Sequence, residues 1–184
     1  MKLLRSILLL CGLTFFASCG PPQITDFSDR SVVYVWVDVT EARGNKVVGG
    51  SFRNFAPGDG GGVYPVGVEK LGDGFLIYHE GIAAGPTKLN TVEAMFCIGL
   101  CGNTINVYDF GNQGGNTAAT TVRSRGVYDL GRYAIISQRT GLFSPRVFDV
   151  QRTSGPSKRQ ILEFLLTIVG DDQKPVVQAA LNRL

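Results

Sequence analysis

The side chains of this chain that could support catalysis are few, and they limit the reactions it could perform. His79 is the single histidine of the 184 residues, with Glu80 beside it and Asp73 earlier in the chain. A histidine paired with a carboxylate can act as a general base or sense pH near neutrality. Adjacent residues of a strand point to opposite faces, so Glu80 cannot reach His79 through local geometry. We therefore predict no catalytic residue, and a hydrolase that uses Asp73 and Glu80 with His79 is an alternative.

Cys97 and Cys101 form the sharpest local motif of the chain. In an exported protein such a pair favours a disulfide. Residues four apart in a straight strand lie about 13 Å apart, too far for a bridge, so the chain would have to turn at Gly99. The alternatives are two buried thiols, or a redox-active pair that would make this a periplasmic redox protein. A metal would need further ligands that His79 alone does not supply, so we predict no metal and no cofactor.

Basic residues are concentrated in one part of the sequence. Eight basic residues stand against two acidic ones between Ala118 and Gln160, whereas six stand against ten between Cys19 and Thr117. Seven of the eight are arginine, whose planar guanidinium favours bidentate contact with phosphate or carboxylate. The alternative is that they are solvated on strand faces and pair with the acidic half. The candidate contacts for an anionic partner are Arg123, Arg125, Arg132, Arg139, Arg146 and Arg152.

The first 18 residues have the organisation of an export signal. Lys2 and Arg5 precede an uncharged apolar run from Ile7 to Ala17. The run is 11 residues long, shorter than the ~20 that a membrane-spanning helix needs. The sequence therefore predicts a cleaved signal peptide over residues 1–18 rather than a retained transmembrane anchor.

The residues Phe16-Ala17-Ser18-Cys19 resemble the lipobox of bacterial lipoproteins, in which the cysteine becomes the acylated first residue after cleavage. The resemblance implies palmitate-type acyl chains on Cys19 and a lipid-anchored protein of the bacterial cell envelope. In that family Gly20 after the cysteine is compatible with the outer membrane, facing the periplasm, where the source has two membranes. Residues 19–30, polar with paired prolines, are expected to form a tether between the lipid and the fold.

Residues 31–152 predict a mainly β domain. Val33, Val35 and Val37 alternate with aromatic or polar residues, which is typical of a strand with one aliphatic face. Ten glycines between Gly44 and Gly74 predict a stretch rich in loops. About seven or eight short strands are expected in all, a number and spacing that favour a β-sandwich.

Residues 153–184 predict a pair of amphipathic helices. Ser154-Gly155-Pro156 is expected to cap and start the first helix, whose apolar stripe stops at Gly170. Asp171-Asp172 is expected to cap the second. Such a pair most often packs on an open sheet face or covers a sheet edge, so we expect it on the sandwich.

A second resemblance concerns the sandwich itself. Phe75–Leu89 is similar to the strand, turn and strand of prealbumin-like or carboxypeptidase-regulatory-like sandwiches, and Gly126–Gly131 to a strand of uncharacterised bacterial lipoproteins of that kind. The resemblance implies a non-catalytic module. Together these features predict a membrane-anchored envelope lipoprotein that acts as a binding or structural module. Its expected partners are an anionic envelope polymer or another envelope protein, and not nucleic acid.

Overall fold

A computed structural model describes residues 29–42, 44–57, 61–97, 103–111, 117–138 and 147–184. These residues form ten β-strands and two α-helices. The predicted signal peptide, Cys19 and nearly all of the tether lie outside them. The strands are β1 (Ser31–Asp38), β2 (Lys46–Asn54), β3 (Gly62–Pro65), β4 (Gly67–Leu71), β5 (Gly74–Ile82), β6 (Gly85–Cys97), β7 (Asn103–Asp109), β8 (Ala119–Val122), β9 (Val127–Gln138) and β10 (Val147–Arg152). The helices are α1 (Lys158–Ile168) and α2 (Lys174–Leu181).

The strands form two sheets whose inner faces enclose the main core. Sheet A has the order β10-β9-β1-β5-β4, and sheet B the order β3-β2-β6-β7, with β8 also paired to β6. Strands β1 and β9 run parallel. Val35 and Ile77 of sheet A pack with Phe52 and Leu89 of sheet B in one buried cluster. The predicted mainly β fold with a C-terminal helical pair is confirmed, and the described residues contain ten strands rather than seven or eight.

Strand β1 is buried on both faces. Its residues from Ser31 to Val37 are all buried. Val33, Val35 and Val37 point into the core between the sheets, whereas Val32, Tyr34 and Trp36 point into a second cluster on the outer face of sheet A. The alternation therefore separates two apolar faces, one aliphatic and one largely aromatic, rather than an apolar face and a solvated one.

Helices α1 and α2 cover that outer face of sheet A. Ile161, Leu165 and Val177 are fully buried there, in the same cluster as Tyr34 and Trp36. We call this set of contacts the helix layer. Within the described residues, neither helix is long and apolar enough to cross a membrane.

The helix starts differ from the predicted ones. Helix α1 is capped by Ser157, whose hydroxyl accepts from the Gln160 backbone N–H, while the Gln160 side chain accepts from the Ser157 N–H. This reciprocal capping box satisfies two first-turn donors, and so it determines the start instead of Ser154-Gly155-Pro156. The predicted cap of α2 is also wrong. Gln173 precedes α2 without a side-chain cap, and Asp171 instead pairs with Lys174 at 2.7 Å.

The glycine-rich stretch from Gly44 to Gly74 is not mainly loop, because it contains β2, β3 and β4. Two of its glycines make room for aromatic rings on neighbouring strands. A Cβ on Gly74 would lie 2.3 Å from the Trp36 ring, and one on Gly67 would lie 2.6 Å from the ring of Tyr78. At these two positions the absence of a side chain serves close packing within the sheet. Gly72, with a φ of +62°, instead lies in the turn between β4 and β5.

Candidate functional site

The segment between β8 and β9 carries the chain from sheet B to sheet A, and Tyr128 holds it in place. The Tyr128 hydroxyl accepts from the backbone N–H groups of Arg123 (3.0 Å) and Ser124 (3.1 Å) and donates to the Ser124 carbonyl at 2.7 Å. Burial raises the pKa of Tyr128, but these bonds and the nearby Arg123 charge outweigh it and leave the pKa below its ordinary value. Residues 123–126 are therefore held in a defined turn.

The same segment is bonded to the start of β1. The Ser31 hydroxyl donates to the Ser124 carbonyl at 3.1 Å and accepts from the Gly126 N–H at 3.2 Å. The Val32 N–H donates to the Gly126 carbonyl at 3.0 Å. Ser31 is fully buried, and its hydroxyl is satisfied by these partners. The segment thus lies at the point where the predicted tether enters the domain.

A cleft of about 660 Å³ lies between this segment and helix α2. Its walls are residues 124–128, Lys158 at the start of α1, and the outer side of α2 as far as Arg183. Arg125 bridges the two walls, because its Nη2 donates to the Asp172 carbonyl at 2.8 Å. The volume falls within the range of cavities that hold small ligands.

The cleft is lined by three cations, Arg125, Lys158 and Arg183, and no aspartate or glutamate is among its lining residues. Neither Lys158 nor Arg183 has an ion-pair partner among the described residues. Arg125 contacts one carbonyl, which leaves most of its five N–H donors available. The rest of the wall is largely apolar, with Val176 and Ala179 on the α2 side. The arrangement suits an anion that has an apolar portion.

Arg132, one of the six predicted contact arginines, is engaged inside the fold. Its Nη1 lies 2.7 and 2.6 Å from the two carboxylate oxygens of Asp129, and its Nε donates to the Pro156 carbonyl at 3.1 Å. The side chain is only 17% exposed. Arg132 therefore joins β9 to the segment that leads into α1, and it does not contribute to a contact surface.

The other predicted arginines are dispersed. Arg125 lines the cleft, and Arg123 is exposed on the same segment. Arg152 is exposed on β10, with its guanidinium 6.0 Å from the centroid of the Tyr133 ring. Arg139 and Arg146 lie outside the described residues. The structure thus brings one member of the predicted set into the cleft.

Sequence reasoning missed two cations of the cleft as contact residues. Lys158 counted toward the basic excess without being named as a contact, and Arg183 lies beyond the arginine-rich segment. Helical spacing does not identify Arg183, because this residue lies two positions beyond the end of α2 at Leu181. Val176 and Ala179 are three residues apart and share one face of α2. That face is separate from the one that buries Val177.

His79 lies between the two sheets rather than in the cleft. Its ring centroid is 5.2 Å from that of Tyr64, and its Nδ1 lies 2.7 Å from the Pro65 carbonyl oxygen. A carbonyl can only accept, so Nδ1 carries the proton, and the buried Nε2 has no partner among the described residues. Burial lowers the pKa of His79, although the bond to Pro65 opposes the change. His79 is therefore neutral at pH 7.

The carboxylates of the hydrolase alternative lie away from His79. Glu80 accepts from the Gly170 N–H at 2.8 Å, on the helix-layer side of sheet A. Asp73 is exposed in the turn before β5, and about 17 Å of extended strand separates Gly74 from His79. The set that a hydrolase would need is therefore not brought together.

The predicted disulfide stays a prediction. Cys97 ends β6 opposite Asn103 of β7, while Gly99 and Cys101 lie outside the described residues. In the described part of the chain, no group of three or more His, Cys, Asp or Glu side chains is positioned to hold a metal ion.

Comparison with known proteins gives little further information. No family model matches the chain, and no curated protein matches its sequence. One solved structure with a related arrangement is that of a candidate cell adhesion protein from Bacteroides fragilis, at 9% identity and a TM-score of 0.32. The match covers 70% of this chain and 47% of that protein, so this chain spans about half its length. A likeness this distant carries no argument about function.

Proposed function

We propose that this protein is a membrane-anchored envelope lipoprotein whose β-sandwich and helix layer form a non-catalytic binding module for an anionic partner. The observation that carries the proposal is the convergence of Arg125, Lys158 and Arg183 on one cleft without an acidic lining residue. These cations come from three separate elements, so the excess positive charge at this point is produced by the fold and not by a local run of sequence.

Because the proposed anchor keeps the domain close to the membrane, even a weakly binding cleft would be occupied. Acyl chains on Cys19 each contribute ~0.8 kcal/mol per buried CH₂, so several chains would hold the protein on the membrane. Residues 19–30 span at most about 40 Å when fully extended. The domain then stays within that distance of the envelope surface, where anionic groups are concentrated. A cleft whose cations each contribute about 1 kcal/mol toward an anionic surface would be occupied under those conditions.

The test uses the full-length protein isolated from membranes and soluble polyphosphate as the anionic probe. Isothermal titration gives Kd for the wild type and for Arg125→Gln, Lys158→Gln and Arg183→Gln. Each substitution should weaken binding about fivefold, the equivalent of about 1 kcal/mol per cation. The matched control is Arg53→Gln, which removes an exposed arginine whose guanidinium lies 5.1 Å from the Phe55 ring on sheet B.

The control separates a site from general charge attraction. If Arg53→Gln weakens binding as much as the cleft variants, polyphosphate is responding to net charge and the cleft is not the site. If none of the four variants changes Kd, the proposal also fails. Added salt should weaken wild-type binding, because these cations are largely exposed and therefore screened.

A further inference from the structure

We infer that the ligand of the cleft is the phosphate head group of an anionic phospholipid in the membrane that carries the protein's own anchor. The inference rests on the proposed function and specifies its ligand. It comes from three features of the described residues: the position of the cleft relative to the tether, its apolar wall, and the geometry of its donors.

The cleft lies beside the point where the tether meets the domain. Ser31 starts β1 and is bonded on both sides of Arg125, to the Ser124 carbonyl and the Gly126 N–H. Residues 19–30 lead from the predicted acylated cysteine to this point. The tether thus joins the domain at the end that presents the three cations. A polybasic surface next to a lipid anchor provides the second signal that stable membrane attachment uses.

The wall of the cleft distinguishes a lipid from a purely ionic ligand. Pro175 and Ala179 are exposed and Val176 is half-buried, all on the α2 side of the cleft. A soluble polyanion offers nothing apolar to cover these groups. A phospholipid offers a glycerol backbone and the first methylenes of its chains directly below the phosphate, and burying each methylene contributes ~0.8 kcal/mol.

The donors suit a phosphate. Arg125 donates one hydrogen bond to the Asp172 carbonyl, and the remaining N–H groups of its guanidinium match phosphate in a bidentate manner. Lys158 supplies a compact charge from the start of α1, and Arg183 a second guanidinium from the turn that follows α2. The three cations together hold one phosphate. The positive charge that this phosphate does not neutralise faces neighbouring acidic head groups.

The experiment identifies the contacting molecule by its mass. A benzophenone amino acid replaces Ala179 in the full-length protein, which is placed on vesicles of phosphatidylcholine alone or mixed with phosphatidylglycerol, irradiated and digested for mass spectrometry. We expect phosphatidylglycerol adducts at position 179 on the acidic vesicles. Adding Lys158→Gln should lower their yield about fivefold, and adding all three Gln substitutions about a hundredfold. The same probe at exposed Val107 on sheet B should give few adducts.

The outcomes separate the lipid inference from the proposed function. Equal adduct yields at position 179 on the two kinds of vesicle, or at positions 179 and 107, overturn the lipid inference. If soluble glycerol phosphate suppresses the adducts at the concentration of the vesicle lipid, the apolar wall adds nothing and a free phosphate is the ligand, which also overturns it. If polyphosphate still binds with the expected variant pattern but no lipid adduct forms, the proposed function stands and the lipid inference falls. If polyphosphate binding is insensitive to the variants, both fall.

Discussion

Arg132→Met should destabilise the domain by about 3 kcal/mol, whereas Arg125→Gln should change its stability little. Arg132 donates to both oxygens of Asp129 and to the Pro156 carbonyl, and the two side chains are only 17% and 21% exposed. Removing one partner of a buried ion pair typically costs about 3–5 kcal/mol, because the remaining charge stays buried without compensation. Asp129 keeps some exposure and a hydrogen bond from the Gly131 N–H, which place the expected cost at the lower end of that range. Because methionine retains most of the apolar stem of arginine, the loss of stability measures the contribution of the polar contacts.

The assay is urea unfolding at pH 7, followed by the fluorescence of Trp36. This side chain is the single tryptophan of the sequence and lies in the helix layer with 3% exposure. With an m-value of about 2 kcal/mol/M, the expected loss lowers the unfolding midpoint by about 1.5 M. Arg125→Gln is the matched comparison. Its side chain is exposed, so its stability should change by about 0.5 kcal/mol or less.

The double variant Asp129→Asn/Arg132→Met sharpens the test. Replacing Asp129 removes the carboxylate that Arg132→Met leaves without its cation, so the double variant should be more stable than Arg132→Met alone. A loss below about 1 kcal/mol for Arg132→Met would show that the internal ion pair contributes little. Equal losses for Arg132→Met and Arg125→Gln would contradict the distinction between a structural Arg132 and an exposed Arg125.

Three further outcomes are expected. Leu165→Ala should cost about 2–5 kcal/mol in urea unfolding because Leu165 is fully buried, and exposed Glu163→Ala on the same helix should cost little; equal losses would contradict the packing of α1. Stability should fall as pH drops below 6.5, where the unfolded chain takes up a proton that His79, with its lowered pKa, does not. His79→Phe should flatten this dependence, and an unchanged pH profile would assign it to other groups. The intact mass of membrane-extracted protein should show loss of residues 1–18 and acyl mass on Cys19; an unacylated soluble product would contradict the anchor.

Local patterns in the sequence predict where strands and helices occur, but not what packs against them. The alternation that begins at Ser31 correctly indicates a strand. It cannot show that both faces are buried, because Tyr34 and Trp36 fit a half-exposed face as well as a covered one, and the cover is supplied by helices more than a hundred residues later. The glycines between Gly44 and Gly74 misled for a similar reason. A turn glycine and a glycine opposite an aromatic ring look the same in sequence, and only the partner strand distinguishes them.

The sequence predicts an excess of basic residues but not where the fold places each of them. The basic excess after Ala118 indicated an anionic partner, yet composition treats Arg125 and Arg132 alike. Their roles differ because a register shift between β9 and β1 lets Arg132 pair with Asp129, three residues earlier on the same strand. Arg125 instead stands in a turn fixed by Tyr128. Arg183 enters the cleft from the turn that follows α2, which the sequence places far from the other cations. Such convergence of distant elements is a property of the tertiary fold.

The helical pair connects the stability of the fold with the binding proposed for the cleft. Sheet A presents Tyr34, Trp36 and Leu76 on its outer face, and this apolar surface has to be covered for β1 to remain a central strand. The helices that cover it bury one face and present another, and the outer side of α2 together with Lys158 forms half of the cleft. Substitutions that loosen the helix layer should therefore reduce binding and stability together. Substitutions of Lys158 or Arg183 should reduce binding alone, because these exposed side chains take no part in the buried cluster.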